Sequence, residues 1–253
     1  MHASAPHTAV ILAAGMGSRL RATNGTSLPK PLVPLLGRPL ILYVLDNAAR
    51  AGCQEAVVVL GYEAERIEQA VRALYRGPLR LHFVRNPEYA LQNGISVLVA
   101  APYVHREPFL LLMADHLVDP RLMDRIRNVS LPPGNALLVV DFRLETIFDL
   151  QDATKVLVEG NRIRAIGKEL GTYNAVDTGV FLADRALLEA LEEARSLQGG
   201  DASLSDGVRR LIARDRMLAL DMEEGFWQDV DTAAMHREAE MRWKRLEAQL
   251  SAT

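Results

Sequence analysis

The chain has 253 residues, which at ~100 to 200 residues per domain is one large or two small domains with enough chain for a three-layer core. Its 29 Lys and Arg against 32 Asp and Glu leave a formal charge of −3 with no long run of one sign, which argues against nucleic acid or a polybasic membrane surface as partner. A hydrophobic share of 49% with 24% charged residues excludes global disorder, and the lone cysteine, Cys53, excludes an intrachain disulfide.

Residues 1–7 hold two histidines and a proline but no basic stretch followed by a long apolar one, so they read as a loose tail rather than a signal peptide. Residues 8–14, TAVILAA, are apolar up to Gly15, the pattern of a strand buried on both faces as in parallel sheets. Residues 15–34 carry three glycines and three prolines and predict a long loop. A helix is expected over 39–51, with Pro39 in its first turn and Gly52 as its stop. Residues 56–60 read as a second buried strand, 64–74 as a helix on Ile67, Val71 and Leu74, and 79–84 as a third strand. That alternation predicts parallel pairing with right-handed crossovers.

A strand over 109–113, a helix over 120–128 and a strand over 136–141 follow. In 155–167, KVLVEGNRIRAIG, apolar and polar residues alternate on either side of Glu159-Gly160-Asn161, which predicts a hairpin. A strand over 176–182, helices over 184–195 and 204–215, a strand over 217–221 and a helix over 232–250 complete the chain. No apolar stretch approaches the ~20 residues of a membrane helix. The expectation is a cytoplasmic protein with one α/β domain over 8–253, built on a mixed, mainly parallel sheet with an inserted β-hairpin region.

Gly15, Gly17, Ser18 and Arg19 sit directly after the first strand, and Lys30 follows between Pro29 and Pro31. Glycines let the main chain approach a phosphate, and successive amides form an anion-binding concavity. Arg19 adds a planar fork and Lys30 a point charge that two fixed proline φ angles hold in place. A dinucleotide fingerprint fails because Leu20 stands where its third glycine belongs, and no G-x-x-x-x-G-K-[ST] occurs.

Asp115 lies just past the strand over 109–113, where open α/β sheets place ligands. Asp229 and Asp231, in WQDVDT, precede the last helix. A Mg2+ ion bound to a nucleotide takes one or two carboxylates together with phosphate oxygens, so carboxylates from these distant segments suit it if they meet. Helix capping explains the same aspartates equally well. His116 reads as a hydrogen-bonding residue rather than a base, and no arrangement supports a covalent nucleophile. The chemistry left is phosphoryl or nucleotidyl transfer, which needs positioning and charge neutralisation more than a covalent catalyst.

AVILAAGMGSRL followed by PKPLVPLLGRPLI resembles the N-terminal signature of the sugar-phosphate nucleotidyltransferases. NGISVLVA, FLLLMADH, DATKVLVEGNRIRAIGKEL, AVDTGVFLAD and WQDVDT are similar, in order, to segments of the inositol-1-phosphate cytidylyltransferase branch. The resemblance implies a Rossmann-like three-layer fold and Mg2+-dependent transfer of CMP from CTP to a phosphorylated alcohol, inositol 1-phosphate first, with release of pyrophosphate. It implies nucleotide contacts from Ala13, Ala14, Gly15, Gly17 and Ser18, with Asn93, Gly94 and Ser96 on the base side. The catalytic cations it implies are Arg19 and Lys30, holding the triphosphate and stabilising charge at the α-phosphorus, and Lys168 on the acceptor phosphate; Asp115 and Asp231 would bind the metal, with Asp229 as a further candidate. Lys155, Asp177, Thr178 and Gly179 fall where the family lines its acceptor pocket.

Asn93-Gly94 also reads as a plain turn before a helix, and Lys155 and Lys168 as solvated hairpin lysines. Two departures from the family pattern stand out: the stretch between Arg19 and Lys30 is long for the inositol branch, and Ala114 replaces the usual glycine before the metal aspartate. That branch is often fused to a membrane alcohol-phosphate transferase, which here would be a separate protein using the product. Other acceptors (a sugar 1-phosphate, phosphocholine or a phosphonate), a glycosyltransferase suggested by Asp229-Val-Asp231, and a non-catalytic nucleotide sensor remain as competing readings.

Overall fold

Nine strands form the main sheet of the computed structural model, which describes residues 5–251. In chain order, β1 (Thr8–Ala13) is followed by the short helix α1 (Ser18–Asn24), the two-residue strands β2 (Pro34–Leu35) and β3 (Arg38–Pro39), α2 (Leu40–Arg50), β4 (Glu55–Leu60), α3 (Ala64–Leu74) and β5 (Arg80–Arg85). Next come α4 (Asn93–Ala100), β6 (Phe109–Met113), β7 (His116–Val118), α5 (Arg121–Ile126), β8 (Ala136–Asp141), and the hairpin of β9 (Lys155–Glu159) and β10 (Arg162–Gly167). β11 (Ala175–Ala183), α6 (Arg185–Leu197), α7 (Leu204–Ala213), β12 (Met217–Asp221), β13 (Trp227–Asp229) and α8 (Ala233–Ser251) complete it.

The strand order is β5-β4-β1-β6-β11-β8-β12-β10-β9. β5, β4, β1 and β6 are parallel; β11 enters antiparallel between β6 and β8, β12 runs parallel to β8, and β10 and β9 close the far edge as an antiparallel hairpin. β1 carries no charge and lies between β4 and β6, so both of its faces are dry. Ala9, Ile11 and Ala13 pack with α2, α3 and α5 on one side, and Val10 packs with residues of α4, α6 and α7 on the other. These are the three layers the strand–helix alternation predicts. A smaller apolar cluster of Leu20, Leu35, Tyr43, Val230 and Ala239 seats α1 and α8 beside the carboxyl end of β1.

Four local outcomes differ from the sequence expectations. The stretch 15–34 is not all loop: between its glycines and prolines, SRLRATN forms α1, which buries Leu20 almost completely. α4 fills a stretch for which only the turn at Asn93-Gly94 hinted at a helix. β7 and β13 pair as a small antiparallel ribbon outside the main sheet, too short for a period-2 pattern to reveal. Of the expected tail, residues 1–4 lie outside the described residues. Residues 5–7 are attached, since Pro6 is buried and the His7 carbonyl accepts from the amide of Gln54 at 2.8 Å.

Candidate active site

β1 and β6 end side by side, and the Ala114 amide donates to the Leu12 carbonyl at 3.0 Å, so the loops that follow open at the same place. Gly17 takes φ +59°, and a Cβ there would lie 2.7 Å from Cβ of Lys30. Glycine is therefore what lets the loop fold back over the lysine stem. Lys30 is buried within a 3-10 turn between its two prolines. Its ammonium donates to Asp115 Oδ2 at 2.5 Å and to Asp231 Oδ1.

The β7–β13 ribbon brings Asp231 to this point. Asp229 pairs in register with His116, and the Val230 amide donates to the Asp115 carbonyl at 3.0 Å. Asp115 Oδ1 is engaged by His116 Nδ1 at 2.7 Å, and the His116 ring stacks on Trp227 with 14° between planes. Burial alone would raise the Asp115 carboxyl, but Lys30 and His116 hold it well below the usual carboxylate range. Burial likewise opposes the Lys30 cation, and Asp115 with Asp231 reverses that and pushes its pKa upward.

Arg19 spreads its guanidinium between two carboxylates, one nitrogen on Asp231 and another on Asp152 Oδ2 at 2.6 Å. Asp152 Oδ1 accepts from Lys168 Nζ at 2.5 Å. Cations and carboxylates thus alternate as Lys168, Asp152, Arg19, Asp231, Lys30 and Asp115. The chain of pairs runs from a cavity of ≈ 400 Å³, lined by Lys168 and Asp152, to an adjoining one of ≈ 290 Å³, lined by Lys30, with Arg19, Asp115 and Asp231 bordering both.

Ala14, Gly15, Arg19, Asn93, Ser96 and Asp115 line the larger cavity, as do Lys168, Asp177, Gly179, Asp229 and Asp231. Ala13, Gly17, Ser18 and Lys30 line the smaller one. Three residues of the sequence-predicted set lie elsewhere. Gly94 backs onto the chain at 202–203, where a Cβ would stand 2.5 Å from the Ala202 carbonyl oxygen. Thr178 is wholly buried and donates to the Val139 carbonyl at 2.8 Å. Lys155 is buried too, with its ammonium on the Gln151 carbonyl at 2.5 Å. Close packing of α4 on the 202–203 backbone, a core hydroxyl and a loop anchor account for them; the hairpin lysine is neither solvated nor in the pocket.

Asp177 sits where β11 bulges: its register against β8 shifts between Asp177 and Phe181, and Gly179 turns at φ +76°. A Cβ on Gly179 would meet the His116 ring at 2.7 Å. Burial pushes the Asp177 carboxyl up to about 6, opposed by the Gly179 amide and by His116. Asp229 is also pushed up by burial; its oxygen accepts from Gln228, while Asp231 alone of the pair meets the cations. Sequence reasoning missed Asp152, Trp227, Tyr89 and Leu91 as cavity residues. Asp152 and Trp227 fall within DATK and WQDVDT, but their partners are remote in sequence, so only the fold reveals their place.

The donor set suits a divalent cation. Asp115 and Asp231 are hard oxygen ligands close enough to share one ammonium, and Mg2+ takes one or two such carboxylates with phosphate oxygens and water. Among the described residues no three His, Cys, Asp or Glu side chains form a closed metal cage, which this mode of binding does not require. Among the same residues no helix is long and apolar enough to cross a membrane.

The sequence pattern of the MobA-like NTP transferase domain matches residues 9–217. A bifunctional IPC transferase and DIPP synthase of Rubrobacter xylanophilus is 35% identical over 227 residues, 88% of this chain and 49% of that protein. A CMP-5'-(3-aminopropyl)phosphonate synthase of Streptomyces rubellomurinus is 29% identical over 252 residues, 94% of this chain and 39% of its own. The inositol-1-phosphate CTP transferase of T. maritima superposes with a TM-score of 0.84 at 28% identity, covering 96% of this chain and 97% of that one. The chain spans about half the length of the Rubrobacter protein and of a like-named relative from Aquifex aeolicus.

Proposed function

Since the chain belongs to the MobA-like NTP transferase domain family, we propose that it transfers CMP from CTP to a phosphorylated alcohol, inositol 1-phosphate first, and releases pyrophosphate. The observation that carries the reading is the convergence of Lys30, Asp115, Arg19 and Asp231 at the ends of β1 and β6, with Lys168 reached through Asp152 on the cavity's other wall. The relatives named for CMP, CTP and inositol 1-phosphate support the nucleotide and the acceptor class.

In this reading a phosphate oxygen of the acceptor attacks the α-phosphorus of CTP, one P–O bond forms as the α–β bridge breaks, and pyrophosphate leaves. An acceptor phosphate is already anionic at neutral pH, so no side chain has to remove a proton from it. The backbone of 13–18 approaches the triphosphate because Gly15 leaves room for it and Gly17 lets the loop fold over the Lys30 stem. Arg19 and Lys30 neutralise charge that grows on the α- and β-phosphates, in a position fixed before substrate arrives. Lys168 holds the acceptor phosphate, and Asp177 with Gly179 forms the floor under its polyol. Asn93 and Ser96 face the base; the Ser96 hydroxyl is fixed by Asn86 at 3.0 Å. Asp115 and Asp231 would hold Mg2+, which supplies charge neutralisation and a template for the phosphates. A membrane alcohol-phosphate transferase activity is the proposed consumer of the product.

The test is pyrophosphate release with Mg2+, crossing CTP, UTP, GTP, ATP and dTTP with inositol 1-phosphate, glucose 1-phosphate, mannose 1-phosphate, phosphocholine and aminoethylphosphonate. Turnover confined to CTP with inositol 1-phosphate is the expected result. Turnover with another pair replaces the substrate and keeps the chemistry, and silence across the panel with nucleotide still bound makes the chain a sensor.

A further inference from the structure

Asp152 is the carboxylate through which the two walls of the cavity touch. Its Oδ2 accepts from Arg19 at 2.6 Å and its Oδ1 from Lys168 at 2.5 Å, one cation on each oxygen. Both cations are long side chains with more than half their surface exposed, at 56% and 54%, so neither is held by packing. Arg19 keeps a second anchor in Asp231, whereas Asp152 is the carboxylate that Lys168 meets among the described residues.

The carboxylate itself is held from behind. Lys155, 8% exposed, donates its ammonium to the Gln151 carbonyl at 2.5 Å, and that carbonyl belongs to the peptide joining Gln151 to Asp152. The Asp152 amide donates to Asp149 Oδ1 at 3.3 Å, and the Ala153 amide to the Asp149 carbonyl at 3.1 Å. The segment is a short turn locked at both ends, with a buried cation pinning its backbone. A surface counter-ion has no need of such support.

We propose that Asp152 is a positioning residue, which sets the spacing between Arg19 and Lys168 and thereby the separation of the nucleotide's phosphates from the acceptor's phosphate. The proposal rests on the roles given above to those two cations. Two like charges on flexible stems repel one another when nothing lies between them. A carboxylate bridging both holds them at one separation before either substrate arrives. In-line transfer depends on that separation, since a misplacement of about 1 Å at the reacting centre costs on the order of 100-fold in rate. The same carboxylate stands beside the anionic triphosphate and therefore opposes its binding.

Removing the charge has effects of opposite sign on turnover and on affinity, which a merely structural residue would not produce. In Asp152→Asn, kcat falls ~100-fold while CTP, titrated calorimetrically with Mg2+, binds ~3- to 10-fold more tightly. Asp152→Glu restores the charge and regains at least ~10-fold of the lost kcat, again through placement of the two cations. A kcat in Asp152→Asn within ~3-fold of the parent, or a parallel loss of kcat and CTP affinity, overturns the proposal. If the parent chain releases no pyrophosphate with any pair in the panel, it is the functional reading that fails. CTP affinity then judges Asp152 alone: tightening in Asp152→Asn retains it as the carboxylate that spaces the cations, and unchanged or weaker binding removes it.

Discussion

The two halves of the sheet build their share of the site by different means. Around β1, functional groups come from loops that directly follow parallel strands: residues 13–19 leave β1 and Asp115 leaves β6. Around β11, they come from irregularities in an antiparallel and mixed region. These are a bulge at Asp177–Gly179, the turn before β9 that carries Asp152, and the end of the hairpin that carries Lys168. A parallel strand end is a position that the topology dictates, so any sequence with this crossover pattern delivers residues there. A bulge or a turn depends on individual side chains, and that is where one relative can differ from another in acceptor.

The sharpest way to test this division is at the cation on which the strand-end half converges. Lys30 follows β1 but binds Asp115 after β6 and Asp231 after β13. Lys30→Ala is expected to lower pyrophosphate release by ~10³-fold, about 4 kcal/mol of transition-state stabilisation. Lys168→Ala, on the other half, should raise the KM of the acceptor phosphate as well as lower kcat, and leave the KM of the nucleotide near the parent's. Steady-state kinetics in both substrates separates the two, and equal losses in kcat alone from both variants would erase the distinction between the halves.

Legibility in the sequence follows the same line. The alternation of strand and helix and the buried β1 are local patterns, and the structure has each where the pattern puts it. The hairpin over 155–167 is equally local. The α1 helix was hidden because glycines and prolines on either side of SRLRATN dominate the composition of the stretch. Asp152 was hidden for a different reason: what makes it part of the site is an arginine 133 residues away. Lys155 shows the converse, a lysine that the family resemblance assigns to the acceptor pocket and that tertiary packing turns inward onto Gln151. Periodicity reports what a residue's neighbours in the chain do, and it carries no information on which remote charge a side chain will meet.

The bulged half also carries a cost that the parallel half does not. Burial pushes the Asp177 carboxyl up to about 6, so the unfolded chain releases this proton first as pH rises. Stability held by the protonated form is full below ~4 and is lost as pH climbs through about 6, a difference of about 3 kcal/mol for two pKa units. Asp177→Asn cannot ionise, and its amide oxygen can still accept the Gly179 N–H that Asp177 receives at 2.7 Å. The variant should therefore be ~1 to 3 kcal/mol more stable than the parent at pH ~7 and equal to it at pH ~4. Urea unfolding of both across that range checks the sign, and a variant whose advantage over the parent does not grow between those pH values would show Asp177 paired rather than merely buried.

The smallest effect compares two glycines, one packed within α4 and one in the loop after β1. A Cβ on Gly94 would lie 2.5 Å from the Ala202 carbonyl oxygen, which is backbone and cannot swing aside, so Gly94→Ala is expected to destabilise by ~1 to 3 kcal/mol. Gly15 has no atom within 4 Å of the place where a Cβ would stand and does not need a positive φ. Gly15→Ala should therefore leave stability within ~0.5 kcal/mol. The open space at Gly15 borders both cavities, so the added methyl enters the volume proposed for the phosphates and raises the KM for nucleotide. Thermal melts and nucleotide titrations on both variants distinguish a glycine kept for packing from one kept for substrate. If Gly15→Ala altered stability but not nucleotide binding, the loop after β1 would owe its glycine to the fold, and the strand-end half of the site would lose its claim to the phosphates.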